Sequence, residues 1–468
     1  MPSRPISPDR LPTGIWKIAC VAMLGSLMAQ IDATVVNVSL SSLAVSLHSS
    51  LATIQWVTSG YLLALALMLP LSGWLVDRIG ARSLYLWCFS AFIVSSALCG
   101  LAWSAGSLIG FRILQGMTGG LMAPMAQMIM ARAAGRHMAK VFGYVAIPVL
   151  LGPILGPVLA GAILQHLTWR WLFLVNLPVG ALALALAVLF VPQDDALIQR
   201  RTFDLPGFLI LAPALVLFLY GADNIRDHSG QLCLAIAIAM IIVFARGALR
   251  KGPEALLDLR LFRSGAFPVS ARTQFLQNGI VYATQMLLPL YLIKACGRTP
   301  GEVGVLLLPM GLGMLAGYPS IGWLTKHFGI RNVAAGGSLI SLLSALPLLY
   351  LADHRMVGPI FVVSLLLRGM GQGAIGVPSL SAAYSGVPNQ EIPMATTTLN
   401  IVQRLGGPTL TTLMAAFLAW RMHFAVSVDE VSRAFMLSFL ALAVLHVLLL
   451  ASTLRLPRVL PKASEVTC

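Results

Sequence analysis

The chain has 468 residues, 58% hydrophobic and only 10% charged, with 31 basic side chains against 16 acidic ones and a formal net charge of +15. Ordinary soluble domains are about 25% charged, and a soluble chain of this size could not cover its surface with so few charges. The composition excludes a water-soluble globular fold.

In chain order, the first residues (MPSRPISPDR) are polar and proline-rich, with no small-residue cleavage site ahead of a long first apolar run. They read as the lead of an uncleaved signal anchor. Fourteen apolar spans follow, at 15–42, 52–76, 83–104, 106–131, 139–165, 170–191, 205–222, 232–249, 267–293, 302–325, 332–351, 357–385, 396–420 and 433–454. About 20 apolar residues cross a hydrocarbon core of ~30 Å. Backbone polar groups in lipid must be satisfied within the segment, which predicts helices. The ten-residue alternation of a membrane β-barrel is absent. The predicted class is all-α integral membrane.

With the N-terminus placed in the cytoplasm, the cytoplasmic loops and tails collect 20 Lys and Arg and the outer loops 7, with four more inside spans. This asymmetry is the positive-inside rule. The basicity is therefore a topology signal with anionic lipid as its contact, not a nucleic-acid footprint, and an even number of spans returns the C-terminus to the cytoplasm.

An internal repeat is also visible. Gly73-Trp74-Leu75-x4-Gly80-x-Arg82 recurs as Gly322-Trp323-Leu324-x4-Gly329-x-Arg331, an offset of 249; Arg112 matches Arg368 at 256; Gly152-Pro153 matches Gly407-Pro408 at 255. The expected organisation is two six-helix pseudo-repeat bundles, 1–191 and 264–468, with a linker and two inserted helices at 192–263. Parallel halves of this kind usually enclose a substrate path at the midplane. The stretch 246–263 is long enough for a short amphipathic surface helix carrying Leu256, Leu257, Leu259, Leu261 and Phe262. Six cysteines (Cys20, Cys88, Cys99, Cys233, Cys296, Cys468) and scattered histidines, with His446 alone in the last span, form no metal-ligand spacing.

Several local patterns sit on these spans. Span 1 reads Ile31-Asp32-Ala33-Thr34-Val35-Val36-Asn37-Val38-Ser39-Leu40-Ser41. The loop after span 2 reads Gly73-Trp74-Leu75-Val76-Asp77-Arg78-Ile79-Gly80-Ala81-Arg82. Span 4 carries Arg112-Ile113-Leu114-Gln115-Gly116-Met117-Thr118-Gly119-Gly120, and span 5 carries Gly143-x8-Gly152-x3-Gly156-Pro157-x2-Ala160-Gly161. Span 6 opens with Trp169-Arg170-Trp171-Leu172-Phe173-Leu174-Val175-Asn176-Leu177-Pro178-Val179-Gly180. On these residues nearly the whole chain resembles the major facilitator superfamily, in its fourteen-helix drug:proton antiporter branch. Span 5 departs from the antiporter signature in one glycine, replaced by alanine, and the loop lacks the first of two basic residues after Gly80.

Asp32 is the only carboxylate well inside a span, where a charge costs roughly 2.5–3.5 kcal/mol on insertion scales. Desolvation favours the neutral form of a carboxyl, so an acid here can carry a transported proton or meet a cationic substrate; a packing role through Thr34 or Asn37 is the alternative. Arginine keeps its proton at any reachable pH, so Arg112 acts electrostatically. The resemblance implies proton coupling for Asp32 and Arg112, and a conformational latch for Gly73, Asp77, Arg78, Gly80 and Arg82. Lys326 stands in the second copy where Asp77 stands in the first, which makes the latch one-sided. In the antiporter helix, Gly143, Gly152, Gly156 and Gly161 permit close helix approach, and Pro153 and Pro157 bend it. In span 9, Gln274, Gln277, Asn278, Tyr282 and Gln285 fall within an arc of about 140°. With Gln115, Asn400, Gln403 and Arg404 they are candidate cavity residues, the alternative for the stripe being polar glue between helices.

The leading expectation is proton-coupled efflux of small amphipathic or drug-like compounds. It involves a small-molecule substrate, protons as the coupling ion, membrane lipid, no other cofactor, no nucleic acid and a monomeric unit in a bacterial inner membrane. A dedicated exporter of an organic anion or metal chelate is the second reading, prompted by Arg112, Arg272, Arg368 and Arg404 in or beside spans against a single acid. A transport-dead sensor or scaffold is more remote. An enzyme is not expected, since no His/Asp or metal constellation lies at a membrane edge.

Overall fold

The computed structural model describes residues 12–134, 138–193, 202–225, 227–263, 265–354, 358–385, 387–388, 390–423 and 427–458. The proline-rich lead, most of the 192–204 linker and the end of the basic tail lie outside them. The described residues form sixteen α-helices and no strand. They are α1 (Thr13–Ser46), α2 (Leu51–Met68), α3 (Leu71–Ile79), α4 (Ala81–Gly100), α5 (Ala105–Ala134), α6 (Met138–His166), α7 (Trp171–Leu174), α8 (Asn176–Phe190), α9 (Leu205–Asp223), α10 (His228–Lys251), α11 (Phe267–Lys294), α12 (Pro300–Gly317), α13 (Ile321–His354), α14 (Pro359–Tyr384), α15 (Ile392–His423) and α16 (Val428–Thr453).

Among the described residues nine stretches are long and apolar enough to cross a membrane. One, Glu302–Ala352, has 51 residues, or ~76 Å at 1.5 Å per residue, and accommodates two passes. Its bend is at Gly329, whose φ of 80° and ψ of 161° are non-helical. The helices α5, α11 and α15 are long enough to cross but carry buried polar side chains, and α6 has 29 residues. With these four, the described helices are long enough for the fourteen passes expected from the sequence. Large apolar side chains lie open on the surface (Trp87 is 70% exposed, Leu189 71%), which suits lipid and would aggregate in water.

Three passes are less regular than their sequences suggest. Span 2 is not continuous: α2 stops at Met68 and α3 starts at Leu71, around Pro70, because proline cannot supply the next backbone donor. Spans 10 and 11 run together through the Gly329 bend. The amphipathic helix expected over 246–263 does not form. Helix α10 ends at Lys251, followed by short 3-10 turns at Gly252–Glu254 and Leu259–Arg263. Gly252, at φ 61° and ψ −121°, takes a positive-φ conformation that glycine adopts without a side-chain clash, and the helix stops there. Ala255, Leu256 and Leu257 then bury themselves against Leu211, Leu215, Phe244, Met394 and Ile401.

The chain divides into two compact units, Met1–Leu65 with Leu75–Arg200, and Ala66–Trp74 with Arg201–Cys468. In the first, α1 packs against α5, α6 and α8, and α4 against α5 and α8. Its core is built from Val35, Val36, Leu43, Ile54, Val57, Leu108, Leu172 and Phe173. Gly116 and Gly120 on α5 meet the carbonyls of Tyr61 and Leu65 on α2 so closely that a Cβ on either would overlap backbone, the small-xxx-small spacing at work. In the second unit α13 packs on α14 and α16, and α11 on α14, α15 and α16. There Tyr291 stacks edge-on against Phe435 and Phe439. Helices α9 and α10 pack as a pair, and α9 also meets α15.

Asp204 fixes the base of that pair. It caps α9 by accepting from the Gly207 amide at 3.0 Å, accepts from the Leu256 amide at 3.0 Å, and pairs with Lys251 Nζ. Burial alone would push its carboxyl up, but these three donors together hold it below the usual carboxylate range.

Candidate functional site

In the first unit, one closed network joins the acid of span 1 to the arginine of span 4. Asp32 on α1 and Arg112 on α5 are both fully buried, with Arg112 Nη1 donating to Asp32 Oδ2 at 2.7 Å. The other carboxylate oxygen, Oδ1, accepts from Gln115 Nε2 at 3.1 Å and from Asn176 Nδ2 at 2.8 Å. A carboxylate only accepts, so both amides must present their NH2 groups to it.

Each amide is satisfied further out. Gln115 Nε2 and Asn176 Nδ2 both donate to Ser96 Oγ at 3.1 Å, and Ser96 donates to the Phe173 carbonyl at 2.9 Å. Gln115 Oε1 accepts from Arg112 Nη1 at 2.8 Å and from Cys99 Sγ at 3.6 Å. Arg112 Nε donates to the Val57 carbonyl at 3.2 Å, and its guanidinium lies 4.1 Å from the Tyr61 ring centroid. The network therefore touches α1, α2, α4, α5, α7 and α8. A buried ion pair is stable only with its remaining donors and acceptors met, and here they nearly all are: among the described residues Arg112 Nη2 alone of this group lacks a hydrogen-bond partner.

Gln115, expected as a cavity residue, sits inside this network instead of lining open space. Asn176, Ser96 and the Val57 carbonyl were not singled out from sequence. Asn176 had a legible signal, since it lies within the Trp169–Gly180 segment; Ser96 had none.

In the second unit the polar stripe of α11 is largely closed on its neighbours. Gln274 Nε2 donates to the Gly376 carbonyl at 2.8 Å and to Ser379 Oγ at 2.9 Å on α14, while its Oε1 accepts from Gln403 Nε2 on α15 at 3.0 Å. Gln277 Nε2 donates to the Gln372 carbonyl at 2.7 Å. Asn278 and Asn400 each donate to a carbonyl one turn back on their own helix. Tyr282, Gln285 and Arg404 are exposed, with Tyr282 packed over Gly407. The stripe thus splits between helix-joining amides and accessible groups.

Of the loop residues, Gly73 lies with Ser72 in the second unit, where Ser72 and Thr397 share a hydroxyl hydrogen bond of 2.7 Å. Asp77 is buried, Arg78 exposed, and Arg82 donates through Nη2 to the Val188 carbonyl at 2.7 Å. Gly80 (φ 87°, ψ 155°) and its repeat partner Gly329 (φ 80°, ψ 161°) adopt the same backbone conformation, one essentially reserved for glycine. In the antiporter helix, Gly156 lies so close to Thr34 of α1 that a Cβ would overlap it, Gly161 faces open space, and Gly143 is buried. The side chains at Gly152, Pro153 and Pro157 lie outside the described residues, although α6 runs through them. Among the described residues no group of His, Cys, Asp and Glu could hold a metal ion.

A multi-pass helical bundle with a sealed ion pair inside it is the build of a membrane transport protein. The chain belongs to the Major Facilitator Superfamily, whose family model matches residues 22–411. It is 33% identical over 427 residues to the multidrug resistance protein B homolog of Mycobacterium tuberculosis, covering 89% of this chain and 78% of that protein. It is 29% identical over 449 residues to the putative multidrug resistance protein MdtD of Salmonella typhi, covering 94% and 93%. Its fold resembles the proton:xylose symporter XylE, with a TM-score of 0.62 at 16% identity over 92% of this chain and 94% of that one.

Proposed function

We propose that this transporter exports small amphipathic or drug-like compounds by alternating access, in exchange for protons. The observation that carries the reading is the Asp32–Arg112 pair, 2.7 Å apart and shielded from solvent on both sides. A proton reaches Asp32 only if the helices around it part. Protonation would remove the counter-charge of Arg112 and take away the ionic acceptor shared by Gln115 and Asn176, so the closed arrangement of six helices loses its reason to stay closed. That makes the charge on Asp32 a bias on the equilibrium between conformations. One proton moving inward across 100 mV releases about 2.3 kcal/mol, which export can draw on.

The export direction and drug-like substrates are supported by what the two bacterial relatives are named for. The placement of Lys and Arg supports a bacterial inner membrane with both termini cytoplasmic. We take the working unit as a monomer with two six-helix halves and α9–α10 inserted, binding no cofactor besides the proton. The test is transport in proteoliposomes under an imposed pH gradient, with a mixed panel of cationic dyes and organic acids and simultaneous readout of proton flux. Proton movement that depends on a panel compound supports the reading. Full proton-coupled efflux by Asp32→Asn would overturn the role given to that residue.

A further inference from the structure

The second unit repeats the buried arginine of the first without its acid. Arg368 on α14 is 1% exposed and, like Arg112, reaches back to the first helix of its own half. There its Nη2 donates to Thr284 Oγ1 at 2.5 Å. Thr284 lies 252 positions after Asp32, within the 249–256 offsets of the internal repeat, so a neutral hydroxyl replaces the carboxylate. The helix that closes each half supplies the next group: Asn176 on α8 in the first, His446 on α16 in the second. His446 Nδ1 lies 2.7 Å from the Leu442 carbonyl and must carry the proton to bond it, leaving Nε2, 3.4 Å from Arg368 Nη2, as an acceptor. The histidine is then neutral and supplies no counter-charge.

Arg368, His446, Gln277, Gln372 and Ser341 line a small cavity of about 10 Å³, close to one water molecule in size, and the rest of its wall is aliphatic. All five are buried. Among the described residues, Arg368 Nε and Nη1, the Oε1 atoms of Gln277 and Gln372, and Ser341 Oγ have no hydrogen-bond partner. No acidic side chain lines the cavity, and Arg368 forms no ion pair among the described residues. A guanidinium cannot shed its charge, and a buried cation calls for an opposite charge as well as hydrogen-bond acceptors.

We propose that this cavity is an anion site, in which Arg368 Nε and Nη1, with the Ser341 hydroxyl, bind a monatomic anion such as a halide. The guest supplies the counter-charge that Asp32 supplies in the other half. The site is independent of proton coupling, since it needs only the arginine and its unpaired donors.

The test is thermal unfolding of the purified full chain in nanodiscs of zwitterionic phosphatidylcholine, which keeps anionic headgroups out. Sodium chloride or sodium bromide is titrated against sodium isethionate, too bulky for the cavity, at constant ionic strength. A saturable rise in the midpoint is expected with at least one of the two halides. Arg368→Gln should weaken the apparent affinity by about 10–100-fold, the loss of a charged hydrogen-bonding partner. Ser341→Ala, which keeps the charge, should weaken it by about 2–10-fold. No stabilisation by either halide, or an undiminished response in both variants with their elution profiles unchanged, means the cavity holds water only and overturns the proposal. Loss of proton-driven transport would not produce either result, so the two readings fail separately.

Discussion

Replacing Asp32 by asparagine tests the sealed ion pair directly, because the substitution keeps the shape and removes only the charge. The carboxylate has two differently used oxygens: Oδ2 meets the Arg112 guanidinium, and Oδ1 meets the NH2 groups of Gln115 and Asn176. An asparagine NH2 at the first position faces a cation, and at the second it faces two donors. Turning Asn176 to relieve this breaks its bond to Ser96. Removing one partner of a buried pair costs about 3–5 kcal/mol, and the unneutralised Arg112 places this site in that range. Arg112→Gln should cost a similar amount, while the double variant leaves two neutral amides and should cost well below the sum. The expected coupling energy is about 2–3 kcal/mol, roughly a 30–150-fold difference in the unfolding equilibrium. Unfolding in mixed detergent micelles, followed by circular dichroism, measures the cycle. Additivity of the two single variants within about 0.5 kcal/mol would refute the claim that these side chains act as a pair. In liposomes, Asp32→Asn should also stop pH-driven efflux while leaving downhill substrate exchange measurable.

Other substitutions probe the supports around this pair. Asn176→Ala strips one donor from Asp32 and one from Ser96 and should cost about 1–3 kcal/mol, read in the same unfolding assay; a change below 0.5 kcal/mol would mean the contact is incidental. Gly116→Ala and Gly120→Ala each push a Cβ into the backbone of α2 and should destabilise by about 1–3 kcal/mol. Gly161→Ala, on open space, should be neutral in stability. Gly80→Ala and Gly329→Ala both force a side chain into a conformation reserved for glycine, at about 1–3 kcal/mol each, and at Gly329 the new Cβ would also overlap the Arg458 carbonyl and add to the loss. Asp204 gives a pH signature: its depressed carboxyl contributes stability that is complete above the ordinary carboxylate range of about 4 and is lost as the pH falls through its lowered value. Hydrogen exchange in residues 205–257 should accelerate on acidification in the wild-type chain. In Asp204→Asn it should be fast already and insensitive to pH.

Much of the fold is legible in the sequence because the bilayer enforces it. Helices must span, so an apolar run announces one, and the Lys and Arg asymmetry orders the loops. The repeat at an offset near 250 is equally local, since glycines at Gly80 and Gly329 mark conformations other residues resist. Asp32 and Arg112 stand out for the same reason: charge in an apolar run is rare and costly enough to need a purpose.

What sequence could not decide is which polar groups meet. Gln115 and Gln274 look alike on a helical wheel, yet one closes the Asp32 network and the other ties α11 to α14 and α15. Partners 80 to 144 residues apart are selected by helix packing, which no local pattern encodes. The breaks at Pro70 and Gly252 depended on punctuation that the apolar runs concealed. The sequence by itself determined that this is an all-helical, multi-pass membrane protein with one acid well inside an apolar span. Only the tertiary structure decided that the acid belongs to Arg112, and that Arg368, its repeat partner, faces a hydroxyl, a neutral histidine and a small cavity. Burial makes a charge conspicuous one residue at a time, but its compensation comes from wherever in the chain the fold brings an opposite group.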